Sequence, residues 1–285
     1  MDCKIFRITT VPMSLKYLLK GQMSYMSKNG FEVIMVSSDG KELKDVIKNE
    51  SCKHIILPLT RKITIFKDLI STHKLFIILK KENPLIVHSH TPKAGIVGML
   101  ASYLAGVPIR LHTVAGLPLI EKKGIKRSIL NFVEKLTYLC STKVYPNSFG
   151  LKKIILKEKF VTKNKLKVIG NGSSNGIDTS YFDPKLFSIK ENEILRNKLS
   201  IQKNDFVFIF IGRIVSDKGI NELLIAFNKL SMILKNIKLL LVGPFEDNLR
   251  PQLHTRQHRK VLWCVLAVLF RFFLRFVFCM TLRFY

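Results

Sequence analysis

Apolar residues along the chain fall into two alternating rhythms. Short, nearly continuous apolar runs at Lys4–Thr10, Glu32–Ser37, His54–Leu57, Leu85–His88, Pro108–His112, Lys143–Tyr145 and Leu166–Ile169 read as buried strands. Between them, Leu15–Lys28, Lys62–Lys81, Lys93–Ala105 and Ile125–Leu139 place apolar residues three and four apart, the spacing of amphipathic crossover helices. Strand and helix in turn predict a parallel sheet covered on both faces, a doubly wound domain ending near Ile169. The stretch NGSSNGIDTSYFDP, rich in Gly, Ser and Asn, reads as a connection, after which the pattern restarts. Phe206–Gly212 and Ile237–Val242 are expected strands and Gly219–Leu234 the helix between them. One βαβ unit cannot bury its own sheet face, so a second domain begins here and needs further units. The expected fold is therefore α/β with two Rossmann-like doubly wound domains, residues 1–175 and 176–249, the second incomplete.

Residues 250–285 break the pattern. All 20 acidic residues of the 285-residue chain precede Arg250, and the tail contains no Ile and no Asn, both frequent before it. Three readings of this aberrant basic and apolar tail are open. A membrane helix over Val261–Leu282 has enough residues to span, but Arg271 and Arg275 near its centre would each cost about 2.5–3.5 kcal/mol. A cationic interfacial helix would put the two Arg on one face, yet apolar residues surround them on every side. A shifted reading frame or disrupted gene changes Lys, Asn and Ile usage all at once, which no folding constraint requires, and is the favoured reading.

The formal net charge of +27 suits a polyanion or an anionic membrane surface. KKGIKR at Lys122–Arg127 and the Lys-rich stretch Lys152–Lys167 fit peripheral docking on an anionic membrane surface, with solubility as the plain alternative. Nucleic acid is not an expected partner: no helix-turn-helix, RRM or OB pattern is present, and Lys is spread evenly instead of in a stripe. Five scattered cysteines without a C-x-x-C spacing fit a reducing compartment. The start, MDCKIFRITT, alternates like a strand and is not a signal peptide. The expected location is cytoplasmic, with peripheral contact at the inner face of the membrane.

The segment GRIVSDKG lies between a strong strand and a helix. Gly212 allows the turn, Arg213 and Lys218 supply cations, and the helix N-terminus adds partial positive charge, which together suit a diphosphate; a solvated loop is the plain alternative. His88 and His90 form H-x-H, which suggests a metal, but no third ligand is near and no metal is expected. His90, Thr91 and Lys93 instead lead into a helix and line a cleft. Gly116 permits close backbone approach or is a simple turn residue. Ser148 reads as a helix N-cap. No G-x-S-x-G, H-E-x-x-H or paired-carboxylate arrangement appears, so hydrolase chemistry lacks support.

GRIVSDKGINELLIAF resembles the phosphate-binding segment of family 4 glycosyltransferases of the GT-B fold, and SNGIDTSYFDP is similar to their interdomain stretch. HSHTPKAGIVGMLAS and RLHTVAGLPL resemble members that build lipopolysaccharide, capsule or exopolysaccharide. The resemblance implies retaining transfer of a sugar from a nucleotide-sugar donor to a lipid-linked or saccharide acceptor, with no cofactor. It places Arg213 and Lys218 on the donor diphosphate. It makes His112 the active-site His, facing the cleft at a strand's carboxyl end; a satisfied core histidine is the plain alternative. The first βα loop, TTVPMSLKY, lacks the paired glycines of many members, leaving Pro12, Met13 and Ser14 as substitutes. The E-x7-E segment that contacts donor hydroxyls has no counterpart, so donor binding is expected to be crippled and the chain inactive. The alternative is a membrane-associated or nucleic-acid-binding basic protein without catalysis.

Overall fold

The computed structural model describes residues 3–61, 64–174, 176–243 and 261–264. It divides into two compact units, Met1–Gly176 and Ile177–Tyr285.

The first unit is a six-stranded parallel sheet built from β1 (Cys3–Ile8), β2 (Phe31–Ser37), β3 (Lys53–Ile56), β4 (Ile86–His90), β5 (Ile109–Val114) and β6 (Lys143–Pro146). Its order, β3-β2-β1-β4-β5-β6, is the doubly wound Rossmann order. Alternate residues divide the two faces. Ile5, Val33 and Met35 point to one face, where they meet Leu15 of α1 (Pro12–Leu18), Met23 of α2 (Gln22–Lys28) and Val46 of α3 (Leu43–Glu50). Phe6, Ile34 and Val87 point to the other, against Leu75 of α4 (Ile65–Glu82) and Val97 of α5 (Pro92–Leu104). A third cluster joins Val144 to Tyr138 of α6 (Gly124–Cys140) and Ile155 of α7 (Phe149–Lys157).

Two expected elements differ. The helix over Leu15–Lys28 is divided into α1 and α2, because Gly21 takes a left-handed φ of 76° between them. The strand over Leu166–Ile169 shrinks to one bridge, Val144 to Leu166, closed by Lys167 N–H donating to Val144 O at 3.1 Å. The next bond on that ladder would need an N–H from residue 146, which is Pro.

The second unit opens with α8 (Ile189–Lys198), whose Ser188 and Glu191 form a reciprocal capping box. β7 (Phe206–Ile211), α9 (Ile220–Ile233), β8 (Ile237–Val242) and β9 (Val261–Cys264) follow, giving parallel order β7-β8-β9. Ile214, Ile220, Phe227, Leu239 and Leu241 pack one face. Leu240 and Val242 pack the other with Leu195 and Leu199. Val261–Cys264 pairs with Leu239–Val242. These four residues are strand, not the beginning of a helix over Val261–Leu282, since pairing satisfies the edge groups of apolar β8. The remainder of that span, with Arg271 and Arg275, lies outside the described residues. Among the described residues no helix is long and apolar enough to cross a membrane.

Candidate functional site

In the first unit α1 packs on one face of the sheet and α5 on the other, although β1 and β4 are neighbours. That arrangement is the topological switch point of an open α/β sheet, where ligands bind outside the strand carboxyl ends. Thr10 and Thr91 meet there. Thr10 N–H donates to Thr91 Oγ1 at 3.2 Å and the two hydroxyls are 2.7 Å apart. Thr91 holds φ 78° and ψ 145°, an unusual backbone for a β-branched residue, costing on the order of 1–3 kcal/mol. The bonds to Thr10 and the following Pro92 keep it there.

His88 and His90 point to the same side of β4, their ring centroids 4.1 Å apart. His88 Nε2 shares a 2.8 Å hydrogen bond with Thr113 Oγ1, whereas buried His90 has no partner at Nε2. Both imidazoles are pushed well below the ordinary range by burial, His88 then by the Arg7 guanidinium and His90 then by His88. Arg7 is itself buried, its NH2 group donating to Gln22 Oε1 at 2.6 Å. Burial lowers its pKa to about 10 against the opposing pull of Glu50.

Three expected site residues are placed differently. His112 does not face an open cleft. Its register partner across the β4–β5 ladder is Ser89, and both side chains point into the α5–α6 layer, where Ser89 Oγ and His112 Nδ1 share a 2.8 Å hydrogen bond. The His112 ring lies so close to Gly95 that a Cβ there would stand 2.6 Å from its Cε1. On the α6 side its centroid is 6.0 Å from that of Tyr138. Burial lowers the His112 pKa to about 4, the Ser89 hydrogen bond opposing, so the ring is neutral. The ammonium of Lys93 is engaged by Asp68 of α4, whose carboxylate also accepts from Thr64 Oγ1. Gly116 is exposed and needs no special backbone, since a Cβ there would meet nothing within 4 Å.

Ser14 is the third residue of α1, buried, its N–H donating to Val11 O at 3.0 Å. Ser148 caps α7, accepting from Leu151 N–H at 3.1 Å, as expected. Thr10, Ser89, Gly95 and Tyr138 were not singled out from the sequence. Only Ser89, flanked by two histidines at a strand end, carried a local signal.

In the second unit Gly212, Arg213 and Lys218 share the loop from β7 to α9. Gly212 N–H donates to Val242 O at 2.9 Å. Gly243 holds φ 153°, and a Cβ there would lie 1.7 Å from Gly212 O, so the carboxyl ends of β7 and β8 meet backbone to backbone. Buried Ile214 and Val215 pin the loop to the core, leaving Arg213 and Lys218 exposed. Gly219, with φ 75°, turns the chain into 14-residue α9. Two cations at a strand's carboxyl end, beside a helix N-terminus, form an arrangement suited to phosphate oxygens.

Residues 8–148 match the glycosyl transferase 4-like family, and residues 191–263 match the glycosyl transferases group 1 family. The second match runs past Leu249 into β9. Over 243 residues the chain is 39% identical to the capsular polysaccharide biosynthesis glycosyltransferase CapM of Staphylococcus aureus, covering 85% of this chain and 62% of that protein. Over 191 residues it is 31% identical to an Escherichia coli UDP-Gal:alpha-D-GlcNAc-diphosphoundecaprenol alpha-1,3-galactosyltransferase, covering 66% of this chain and 47% of that one. The chain thus spans about half to three-fifths of the length of these relatives. In fold it is similar to HepE of Anabaena, solved in complex with UDP, with TM-score 0.68 and 16% identity over 95% of this chain and 71% of that one. Two matched domains in order, each on its own parallel sheet, place this chain among the family 4 glycosyltransferases of the GT-B fold.

Proposed function

We propose that the whole protein transfers a sugar, with retention, from a nucleotide-sugar donor to a lipid-linked or saccharide acceptor in cell-surface polysaccharide synthesis. The observation that carries this is the pinned loop Gly212–Gly219. Arg213 and Lys218 stand on it at the start of α9, where they and the helix amides would stabilise the departing nucleoside diphosphate without a metal or cofactor. The two relatives support the acceptor class, being named for capsular polysaccharide and for a diphosphoundecaprenol-linked sugar.

On the first unit, Thr91 and His90 belong to the acceptor side of the switch point. His112 acts from inside, as a positioning residue holding Ser89, and touches no sugar. No E-x7-E segment follows the Gly212–Gly219 loop within these 285 residues, so this chain by itself is inactive in transfer. The location is cytoplasmic.

The test is calorimetric titration of UDP into the chain. Arg213→Ala and Lys218→Ala should each weaken binding about tenfold, as expected for one charge-assisted contact. Unchanged affinity in both would sink the diphosphate assignment. Label transfer from a UDP-sugar to an undecaprenyl-diphosphate acceptor by the unaltered chain would overturn its inactivity.

A further inference from the structure

Gln22 is the first residue of α2, and the backbone around it is firmly set. Gly21 ahead of it takes φ 76°, and Gln22 N–H donates to Leu19 O at 3.0 Å. Glu50 of α3 accepts from Gly21 N–H at 2.6 Å and from Ser24 N–H at 3.0 Å. From this fixed start the Gln22 amide reaches two partners far apart in the chain. Its Oε1 accepts from Arg7 Nη2 of β1 at 2.6 Å, and its Nε2 donates to Ser174 O at 3.1 Å.

The two bonds depend on each other. Arg7 is 1% exposed and makes no ion pair among the described residues, since Glu50 is committed to α2. Its buried guanidinium donates to Gln22 Oε1 and, more weakly, to Met26 Sδ at 3.5 Å. A guanidinium only donates, so it turns the amide oxygen toward itself and leaves the amide NH2 facing Ser174. The reverse orientation would set donor against donor at Arg7 and oxygen against oxygen at Ser174.

Ser174 belongs to a strap, residues 170–174, along which the chain leaves the first unit. One side of the strap is fastened at the end of β6. Ser173 N–H donates to Asn147 O at 2.7 Å, and Ser174 Oγ donates to Asn147 Oδ1 at 3.2 Å. A Cβ at Gly172 would stand 2.3 Å from Asn147 O. Ser173 holds φ 68°, a left-handed backbone that serine does not favour. Asn147 follows β6, Gln22 is bonded to β1, and β4 and β5 lie between those strands in the sheet. Gln22 therefore holds the strap from the β1 side.

We propose that Gln22 is a positioning residue for sugar transfer, setting the direction in which the connection leaves the first unit by joining buried Arg7 to the strap. This rests on the reading of the protein as a two-unit sugar transferase, in which reacting atoms must come within about 3–3.5 Å of each other and small misplacements cost rate steeply. Gln22 acts through Ser174 and needs no contact with either sugar.

The experiment uses the full chain and separates the two halves of the amide. Gln22→Glu keeps an acceptor for Arg7 and loses the donor to Ser174, whereas Gln22→Met keeps the volume and loses both. Gln22→Glu should melt no lower than the parent, because a charge-assisted bond to Arg7 is retained. Its Gly172 and Ser173 amides should nevertheless exchange about fivefold faster in rapid-quench hydrogen exchange, the effect of one lost hydrogen bond. Gln22→Met should combine the faster exchange with a lower melting temperature. The distance distribution between spin labels at exposed Lys48 and Lys229, one on each unit, should broaden in both variants. Strap amides within twofold of the parent in Gln22→Glu, or a label distribution of unchanged width, would overturn the proposal. So would faster exchange in Gln22→Glu that comes only with a fall in melting temperature, since Gln22 would then be a general prop of the fold. Calorimetric titration of UDP separates this from the reading it rests on. A chain that binds no UDP would sink the donor reading and with it the role of Gln22 in transfer, whereas UDP binding beside unmoved strap amides would sink the role of Gln22 alone.

Discussion

Three imidazoles, those of His88, His90 and His112, sit inside the first unit at the carboxyl ends of β4 and β5, and all are held neutral. Burial is the first cause for each, because an imidazolium in that environment would lose its hydration without a carboxylate to replace it. A consequence follows for stability. The folded pKa of each lies below the ordinary value of 6.5, so the unfolded chain binds more protons as pH falls. The stability is fully present above pH 6.5 and is lost progressively as pH falls toward about 4. His112 alone should cost about 2 kcal/mol by roughly pH 5. Thermal melting of the chain at several pH values checks this. A midpoint that does not move between pH 7.5 and pH 5 would contradict the burial of these rings. Thr91 tells a related story, since its strained backbone is maintained by the Thr10 hydroxyl and not by any preference of threonine.

At the scale of elements, the junction of β7 and β8 is the tightest constraint in the second unit. A methyl group at Gly243 would overlap Gly212 O, and φ 153° is itself barred to other residues. Gly243→Ala should therefore cost more than about 3 kcal/mol and open the strand ends that carry the Arg213 loop. Hydrogen exchange followed by mass spectrometry gives the readout. Amides of Phe206–Ile211 and Ile237–Val242 should lose protection while those of β1, β2 and β4 keep it. Normal protection of β7 in the variant would show that the two strand ends can part without harm.

For the whole molecule, the two units differ in how completely they enclose a core. The first has six strands with helices on both faces, and its clusters join every layer. The second has three strands among the described residues and leaves Phe206 and Phe208 of β7 exposed. Local stability follows buried apolar contact, so native-state exchange should protect the strands of the first unit more strongly than β7 and β8. Limited proteolysis should cut first in the Gly- and Ser-rich stretch 170–188. Equal protection in both units would refute this ranking.

Hydrophobic period, strand-end glycines and local cation spacing settled much of this protein from the sequence alone. The parallel α/β architecture, the N-cap at Ser148 and the placing of Gly212, Arg213 and Lys218 on one strand-to-helix loop are all local, carried by neighbours a few residues apart. What the sequence could not settle depends on partners distant in the chain. Whether His112 looked out to a ligand or in to the core was fixed by its register with Ser89 and by the space Gly95 leaves on α5. The engagement of Lys93 needed Asp68 from another helix, and the shortening of the Leu166–Ile169 strand needed Pro146 beside it. Val261–Cys264, which the sequence leaves open to a membrane helix, an interfacial helix or a shifted frame, is a strand through pairing with the edge of β8. Side-chain direction, pairing and burial are set by which surfaces meet, and that is decided only when the chain is folded.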